Sequence, residues 1–389
     1  MENFVFDGCT KIIFGKGTEN QVGEEVNKYG KSVLLHYGGG SIKKWGLYDR
    51  VVKSLQKSGI TLLEVGGVRP NPTYELINKG IAMCKEHAIN LVLAVGGGSV
   101  IDSAKAIAVG ALYKGDVLDF TLKKATHTEA LPVGVILTIP AAGSESSRYA
   151  VATHTIDGYP YKRDVIWENF HLIRPKFAIL NPVLTFTLSP FQTACGISDI
   201  MAHTMERYFT SVKNVELTDR LCEAVLKTVI HNAYIVMKDP ENYDARAEIM
   251  WAGSIAHNDL LGTGRQNDFA SHMIEHELSA LYDIAHGAGL AIIFPAWMKQ
   301  VYKHNLERFT QFATRVWNVD HDYYSPEWTA LEGIRSLENF YHEIGLPTRL
   351  TAAGIPDDRF EEMAKKAVKI GSIKKMTEKD VLDIYRSAR

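Results

Sequence analysis

The chain has 389 residues, of which 46% are hydrophobic and 23% charged, and this composition indicates a folded globular protein of about two or three domains. Its formal net charge is −2, and it has no long run of like charges. This charge pattern does not indicate a nucleic-acid or anionic-membrane partner and favours small neutral or mildly anionic ligands. The first residues lack a secretory signal, and the longest apolar run, 288–298, is short and interrupted by Pro295. We therefore expect a cytoplasmic protein without a membrane span.

The four cysteines are scattered along the chain without C-x-x-C spacing, which argues against a disulfide framework and against a cysteine metal site. We expect Cys9, Cys84, Cys195 and Cys222 to be buried as small hydrophobic residues.

The first half alternates strand and helix patterns. Apolar or β-branched runs are separated by segments whose apolar residues share one helix face, and these runs lie at 11–14, 32–35, 61–65, 91–95 and 133–138. The alternation predicts a Rossmann-like α/β domain with a doubly wound parallel sheet, and strands at 151–155 and 177–180 complete this half.

The tetrapeptide Gly-Gly-Gly-Ser occurs twice, at 38–41 and 96–99, each time directly after a predicted strand. Consecutive glycines between a strand and an amphipathic helix let backbone N–H groups approach a phosphate at the helix N-terminus. Neither copy fits G-x-G-x-x-G, and each alone could be a tight turn. Two copies in one α/β half favour nucleotide binding.

Strand signals end near residue 182, so we predict an α/β domain over 1–182 and an all-α domain over 183–389. Ser189 and Pro190 have the residue types preferred at a helix N-cap and at the first helical position. The helices predicted beyond the boundary are 193–210, 215–237, 244–257, 270–281, 287–303, 306–316, 326–343, 357–367 and 378–386.

The helical half contains side chains with metal-binding chemistry. Asp199 and His203 are four residues apart on one helix face among apolar neighbours, where an unpaired charge is costly. His272 and His276 have the same spacing, and His286 follows ten residues later. One carboxylate and three imidazoles can bind Fe²⁺ or Zn²⁺ and leave a position open for substrate. Each pair alone is also compatible with a hydrogen-bonded surface couple, and spacing does not decide which three histidines bind.

A competing pattern is His272-x-x-Glu275-His276, the inverted zinc-peptidase form in which both histidines bind zinc and the glutamate activates water. Such a short pattern arises easily by chance. It also leaves both glycine segments without a role, whereas hydride transfer uses a dinucleotide in the first half, a metal in the second and a reaction in the cleft between them.

An ordered set of motifs carries a family resemblance: Tyr37-GGGS-Ile-Lys-Lys44, Pro70-Asn71-Pro72, Gly96-GGSVIDSA-Lys105, Ala142-Gly-Ser-Glu145, Gly196-ISDIMA-His203 and His272-MIEHELSALYDIA-His286. From about residue 4 to the end, the chain resembles the iron-containing (group III) alcohol dehydrogenases, and among them the butanol dehydrogenase-like, broad-range aldehyde reductases. The resemblance implies a dinucleotide-binding first domain, a metal-binding helical domain of the dehydroquinate synthase-like fold, and a homodimer built through the sheet domain.

The resemblance also implies a role for individual residues. The metal ligands would be Asp199, His203, His272 and His286, with His276 near the metal but not bound to it. The pyrophosphate would be held by Gly97, Gly98, Ser99 and Asp102. The residues along the cofactor would be Thr138 and Lys162, and the adenosine ribose would face Gly38 and Ser41. The cofactor site would be completed by Asn71 and Ser147. Arg148 departs from the family pattern with a bulky charge near the expected nicotinamide, and the 162–175 segment, with Lys162 in a Gly/Pro/Tyr loop, is lengthened.

The implied reaction is hydride transfer between a nicotinamide and a small aldehyde or primary alcohol whose oxygen is bound to the metal. His276 is the candidate proton donor to the alkoxide. No acidic residue lies between Ser41 and Asp49, which favours NADP(H) while leaving NAD(H) possible, and the Asp/His set suits Fe²⁺ and Zn²⁺ alike.

Two other classes remain as alternatives. A lyase of the dehydroquinate synthase type would also combine a dinucleotide with a metal, but it should carry a dense basic set for a phosphorylated substrate, and the residues around Asp199, His272 and His286 are mostly apolar. A non-catalytic nucleotide-binding protein would not need the Asp/His set.

Overall fold

In a computed structural model that describes residues 1–8 and 10–389, the chain divides into two compact units. One unit comprises Gly8–Leu188, and the other comprises Met1–Asp7 together with Ser189–Arg389. Within the described residues no helix is both long and apolar enough to cross a membrane. The prediction for Cys9 lies outside those residues. Cys84 and Cys222 are buried as predicted, whereas Cys195 is partly exposed, and all three are free thiols.

The Gly8–Leu188 unit contains a parallel sheet. The described strands are β1 (Lys11–Phe14), β2 (Ser32–Gly38), β3 (Thr61–Val68), β4 (Leu91–Gly96), β5 (Val133–Leu137), β6 (Val151–Ile156), β7 (Tyr159–Asp164) and β8 (Phe177–Leu180). Six of them form one sheet in the order β1-β8-β5-β4-β2-β3, with every neighbouring pair parallel. The predicted Rossmann-like parallel sheet is therefore confirmed.

The strand order reverses between β2 and β4. From β2 the chain moves outward to β3, whereas from β4 it moves the other way to β5 and β8. Such a reversal opens a crevice at the carboxyl ends of the two strands, which is where open α/β sheets bind ligands. β2 ends at Gly38 and β4 ends at Gly96, so the sheet brings both glycine segments to the two sides of this crevice.

The strand predicted at 151–155 is present as β6 and lies outside the parallel sheet. β6 pairs antiparallel with β7 as a separate hairpin, and β7 was interpreted as a loop. The turn between them is Asp157-Gly158, where both residues have positive φ, at 50° and 77°. Asp-Gly with two left-handed residues is a preferred two-residue hairpin turn, so the sequence did contain the signal.

The helices of this unit are α1 (Val22–Val26), α2 (Ser41–Lys44), α3 (Leu47–Lys57), α4 (Tyr74–Glu86), α5 (Gly98–Leu112) and α6 (Leu118–Thr121). The helix after the second glycine segment, α5, was predicted to be amphipathic, but nearly every residue from Val100 to Ala111 is buried. Alanines and Gly110 keep its outer radius small, so other elements approach it on several sides.

The second unit is helical, as predicted. Its described helices are α7 (Pro190–Tyr208), α8 (Glu216–Lys238), α9 (Tyr243–His257), α10 (Ala270–Tyr282), α11 (His286–Val301), α12 (Leu306–Val316), α13 (Pro326–Glu343), α14 (Phe360–Lys366) and α15 (Glu378–Ser387). Each predicted helix has a counterpart. α7 begins with a capping box in which Ser189 and Gln192 satisfy each other's backbone N–H groups, with Pro190 at the first helical position.

The start of α11 lies directly against α7. A Cβ added to Gly287 would be 2.6 Å from the carbonyl carbon of Cys195, so only glycine permits this approach. This contact places His286, the first residue of α11, beside Asp199, which lies one helical turn after Cys195 on α7.

A buried imidazole makes the stability of the sheet unit depend on pH. His36 on β2 is fully buried, with Nδ1 2.8 Å from the carbonyl oxygen of Val65 and Nε2 2.8 Å from the hydroxyl of Ser103. A neutral ring satisfies both partners, donating from Nδ1. Burial lowers the pKa of His36 from 6.5 to about 4, against the smaller opposing effect of the Val65 hydrogen bond.

Because the folded pKa lies below the unfolded value, this contribution to stability is complete above pH 6.5 and is lost as the pH falls toward 4. Between pH 7 and pH 5 we expect wild-type protein to lose about 2 kcal/mol more unfolding free energy than His36→Gln. Urea unfolding of both proteins at the two pH values measures the difference, and parallel losses would contradict it.

Candidate metal and dinucleotide sites

Asp199 and His203 lie on α7 one turn apart and face the interior of the helical unit. They are 4% and 5% exposed, and His203 Nε2 lies 3.3 Å from Asp199 Oδ1. This proximity follows from the i, i+4 spacing on a helix. The pair is therefore buried, and the alternative of a surface couple does not apply.

Two further imidazoles approach the same carboxylate from α10 and α11. His272 Nε2 lies 3.9 Å and His286 Nε2 lies 4.0 Å from Asp199 Oδ1. One ligand atom from each of these three residues lies within 4.8 Å of the other two, a separation compatible with a common metal ion. His203 is not part of this tightest group, but its ring centroid is 4.4 Å from that of His272.

Two buried carboxylates lie beside the other ring nitrogen of two of these histidines. Glu206, one further turn along α7, lies 2.8 Å from His272 Nδ1 and also accepts the backbone N–H of His272 at 3.2 Å. Glu275 on α10 contacts His286 Nδ1. A carboxylate on Nδ1 fixes the tautomer and leaves Nε2 available as a metal ligand.

The cluster has the chemistry that a cation requires. Asp199 Oδ1 and His272 Nε2 are buried and form no hydrogen bond with any described residue. Burial opposes the charged form of His272, but the carboxylates of Glu206 and Asp199 outweigh it and raise the pKa of His272 to about 9. Burial, together with the neighbouring His257, His272 and Arg207, lowers the pKa of His203 well below its usual value. Glu206 and Asp199 thus stabilise positive charge at His272, while His203 favours its neutral form, which is the form that binds a metal, so these residues fit a divalent ion.

His276, the proposed proton donor, lies next to the cluster. It is 4% exposed, and its ring centroid is 5.4 Å from that of His286 and 6.4 Å from that of His272. His276, Glu275 and His286 form a second group of potential ligand atoms within 4.8 Å. His276 therefore lies close to the group formed by Asp199, His272 and His286 but is not a member of it.

The arrangement does not suit the peptidase pattern. That mechanism needs a glutamate free to activate water, but Glu275 is completely buried, with one oxygen on His286 Nδ1 and the other accepting the Ser279 hydroxyl. Glu275 instead contacts a candidate ligand, His286.

The glycine segments define the candidate dinucleotide site of the sheet unit. Gly38 ends β2 and Ser41 begins α2 with an exposed side chain. Gly97 is the N-cap of α5 and Gly98 its first residue, so the backbone N–H groups at the start of this 15-residue helix lie at the carboxyl edge of the sheet. Ser99 follows in the first turn and is partly exposed.

Asp102 has a different environment from the one implied by a phosphate contact. Its Oδ1 accepts the Ser144 hydroxyl at 2.6 Å and its Oδ2 accepts the Val151 N–H at 3.0 Å. Burial raises the pKa of Asp102, partly offset by Lys105. Both oxygens thus join α5 to the segment that follows β5.

Lys105, one turn later on α5, is completely buried and ties down the same segment. Its ammonium donates to the carbonyl oxygens of Ser144, Ser147 and Tyr149 and to the Ser144 hydroxyl, at 2.7 to 2.9 Å. Ser147 is 1% exposed, and its hydroxyl accepts the N–H of Tyr149. Lys105 ends the motif that follows β4, and its position in the sequence indicated no role for it.

The remaining cofactor candidates lie around this segment. Thr138 follows β5 and donates its N–H to the carbonyl oxygen of Gly96. Asn71 occupies a left-handed turn with φ 56°. Lys162 lies on β7 opposite Thr153 and is 7% exposed, so it belongs to a strand and is buried, and the predicted loop is wrong. Arg148 stacks over the rings of Tyr149 and Phe170.

One contact near Ser41 could not be read from local sequence. Glu64 of the neighbouring strand β3 lies 3.6 Å from the ammonium of Lys43 and accepts the hydroxyl of Tyr37 at 3.0 Å. The ammonium of Lys43 also lies over the rings of Tyr37 and Tyr48. An acidic side chain therefore does stand near this segment, although none occurs between Ser41 and Asp49.

Comparison with known proteins agrees with this architecture. Residues 9–182 match the iron-containing alcohol dehydrogenase family model, and residues 193–389 match the C-terminal model of the Fe-containing alcohol dehydrogenase family. The chain is 45% identical over the full length of both chains to a protein named probable NADH-dependent butanol dehydrogenase 1 from Bacillus subtilis. It is 36% identical to the NADPH-dependent aldehyde reductase YqhD of Escherichia coli, over 99% of this chain and 98% of the relative.

The crystal structure of a NADH-dependent butanol dehydrogenase A from Thermotoga maritima superimposes with a TM-score of 0.94 at 40% identity, covering 100% of this chain and 99% of that one. These findings do not favour a lyase. The chain belongs to the iron-containing alcohol dehydrogenase family and is a metal-dependent NAD(P)(H) alcohol dehydrogenase.

Proposed function

We propose that this chain interconverts a small aldehyde and its primary alcohol, using Asp199, His203, His272 and His286 to hold the divalent metal. The observation that carries this proposal is the convergence of Asp199, His272 and His286 within 4.8 Å, with Asp199 and His272 buried and His286 partly exposed. Aldehyde and butanol chemistry in the names of relatives at 36% and 45% identity supports the substrate class.

When bound, the metal supplies Lewis-acid polarisation of the carbonyl oxygen and the nicotinamide supplies the hydride. The protein's own residues orient these groups. Glu206 and Glu275 hold the imidazoles of His272 and His286 through Nδ1, and the buried surroundings exclude water. His276, beside His286, gives a proton to the alkoxide in reduction and takes one from the alcohol in oxidation.

The dinucleotide is proposed to bind at the carboxyl edge of the sheet. Gly97, Gly98 and Ser99 would receive the pyrophosphate at the start of α5, and Gly38 and Ser41 would face the ribose on the other side of the crevice. Thr138, Lys162, Asn71 and Ser147 remain proposed contacts along the cofactor. For Asp102 the two internal hydrogen bonds support a positioning role rather than direct phosphate contact.

A homodimer built through the sheet domain and a cytoplasmic location are also proposed, on the family resemblance and on the sequence expectations. Light scattering of the purified protein tests the dimer directly. Steady consumption of NADPH or NADH with a simple aldehyde tests the activity itself, and no consumption with either nucleotide in metal-loaded protein would contradict it.

The first prediction concerns the metal ligands. Replacing Asp199, His203, His272 or His286 by Ala should reduce bound metal to below about a tenth of the wild-type stoichiometry, because each removal leaves a buried, incomplete donor set. Metal analysis of protein purified without oxygen measures this loss. Dinucleotide affinity, followed by fluorescence, should persist because the glycine segments belong to the other unit. Full metal content in Asp199→Ala would overturn the assignment.

The second prediction separates His276 from the ligands. In His276→Ala we expect metal content near wild type and a kcat lowered by roughly 10²-fold, because a positioned proton donor has been removed. The pH profile of kcat should also flatten near neutrality. Loss of metal in this variant would instead make His276 a ligand.

The third prediction concerns cofactor choice. Ser41→Asp places a negative charge where the resemblance puts the adenosine ribose, so it should lower the NADPH/NADH ratio of kcat/KM by about tenfold or more. Lys44→Met is the matched control, because the Lys44 ammonium lies over the ring of Trp45 and not over the rings that hold Lys43. An unchanged ratio in Ser41→Asp would mean that the first glycine segment is only a turn.

Nearby charges should weaken the preference of the wild-type protein for NADP(H) over NAD(H). Glu64 partly neutralises Lys43, two residues after Ser41, so this lysine attracts a 2′-phosphate less than an unpaired lysine would. The relatives include proteins named for either nucleotide, at 45% and 36% identity. We therefore propose use of both cofactors with a modest preference for NADP(H).

A further inference from the structure

We propose that Glu275 is a positioning residue that determines which nitrogen of His286 meets the metal, and that Gly289 is required to leave space for its carboxylate. This inference rests on the proposed metal site and goes beyond it, because neither residue belongs to the ligand set. Glu275 is the glutamate of the H-x-x-E-H pattern, so the inference also gives this residue a role other than that of a peptidase base.

The carboxylate of Glu275 is enclosed. Its side chain is 0% exposed on α10, with Oε2 at His286 Nδ1 and Oε1 at the hydroxyl of Ser279, one turn further on the same helix. A buried carboxylate with two hydrogen-bond donors is held in place. It is therefore suited to orient a neighbour and unsuited to exchange protons with a substrate.

The contact selects a tautomer of His286. With Glu275 accepting at Nδ1, this nitrogen carries the proton and the lone pair lies on Nε2. Nε2 is the atom that lies 4.0 Å from Asp199 Oδ1, in the group within 4.8 Å. Without the carboxylate the ring could rotate or bind through either nitrogen. The negative charge also makes the imidazole a stronger donor to a metal.

Space for this carboxylate comes from Gly289, three residues after His286 on α11. A Cβ added there would lie 2.8 Å from Glu275 Cγ and 2.9 Å from Cδ, and closer still to Oε1. These separations are below normal contact distances, so any side chain at 289 must displace the carboxylate. Gly289→Ala is thus a way to move Glu275 without altering Glu275, His286 or another proposed ligand.

His272 provides an internal comparison. Its Nδ1 is held by Glu206, another fully buried carboxylate, which also binds its backbone N–H and contacts Ser271. The two carboxylates thus act on different ligands from different helices. Perturbing Glu275 should affect His286 and leave the His272 contact intact.

The experiment compares Glu275→Gln, Glu275→Ala, Gly289→Ala and the Glu275→Ala/Gly289→Ala double variant. The dissociation constants of Zn²⁺ and Co²⁺ are measured by chelator competition in the full chain, together with the visible spectrum of the Co²⁺ form. We expect each single variant to bind metal about 10-fold to 100-fold more weakly, with a changed Co²⁺ spectrum. The double variant should be no weaker than Glu275→Ala, because both changes remove the same contact.

Gly333→Ala is the control for steric damage. A Cβ there would lie 2.5 Å from Ala313 Cβ, a comparable clash in the same helical unit but between α12 and α13. It should lower Tm and leave metal affinity and the Co²⁺ spectrum unchanged. Glu275→Gln nearly preserves shape, so it reports the effect of charge even if Gly289→Ala folds poorly.

The outcomes are distinct. Wild-type metal affinity and Co²⁺ spectrum in Glu275→Gln and Glu275→Ala would overturn the role of Glu275, and additive losses in the double variant would overturn the role of Gly289. If Asp199→Ala and His286→Ala themselves retain metal, the proposed site fails, whatever Glu275 does. If those two variants lose metal while the Glu275 variants keep it, only the present inference fails.

Discussion

The burial of carboxylates among imidazoles is the constraint on which the helical unit depends. Asp199, Glu206 and Glu275 are each at most 4% exposed, and a charge so far from water is stable only with close partners. The partners come from three helices, α7, α10 and α11. The packing that brings these helices together, including the approach of Gly287 to Cys195, is therefore tied to the electrostatics of the cluster.

The sheet unit also contains a buried charged side chain with close partners, in this case a cation. Lys105 has no exposed surface, and its ammonium is satisfied by three carbonyl oxygens and one hydroxyl of the segment after β5. Asp102, one turn earlier, holds the same segment through Ser144 and Val151. Two residues on one helix thus support the irregular stretch that leads from β5 to Val151, the first residue of β6.

Local periodicity predicted the regular elements, because strands and helices follow from spacing that is visible in the sequence. The parallel sheet, the helices beyond residue 189 and the cap at Ser189 are of this kind. The β6-β7 hairpin was missed although Asp157-Gly158 signals it, because the tyrosines and Pro160 around it were interpreted as a loop. Glu206 was also accessible in principle, since Asp199, His203 and Glu206 share one helix face at i, i+4 and i+7.

Other features depend on contacts between distant segments and had no local signal. Glu64 meets Lys43 only because β3 pairs with β2, and Lys105 meets Ser144 only because α5 packs beside the segment after β5. The ligand set came from the family resemblance, since spacing could not choose among His203, His272, His276 and His286. For Glu275 a five-residue pattern suggested general-base chemistry, and its burial with two partners points to another role.

The attachment of residues 144–151 to α5 has an entropic consequence. Asp102 and Lys105 attach this segment by side-chain hydrogen bonds to the helix that begins at Gly98, so its position is set by contacts within the protein itself. A dinucleotide that bound at the start of α5, as we propose, would then spend little of its binding free energy on ordering this segment, which otherwise costs roughly 1 to 2 kcal/mol for each residue that becomes ordered. Its association would resemble the docking of two preformed surfaces, with a rate limited by encounter and orientation rather than by folding of the segment.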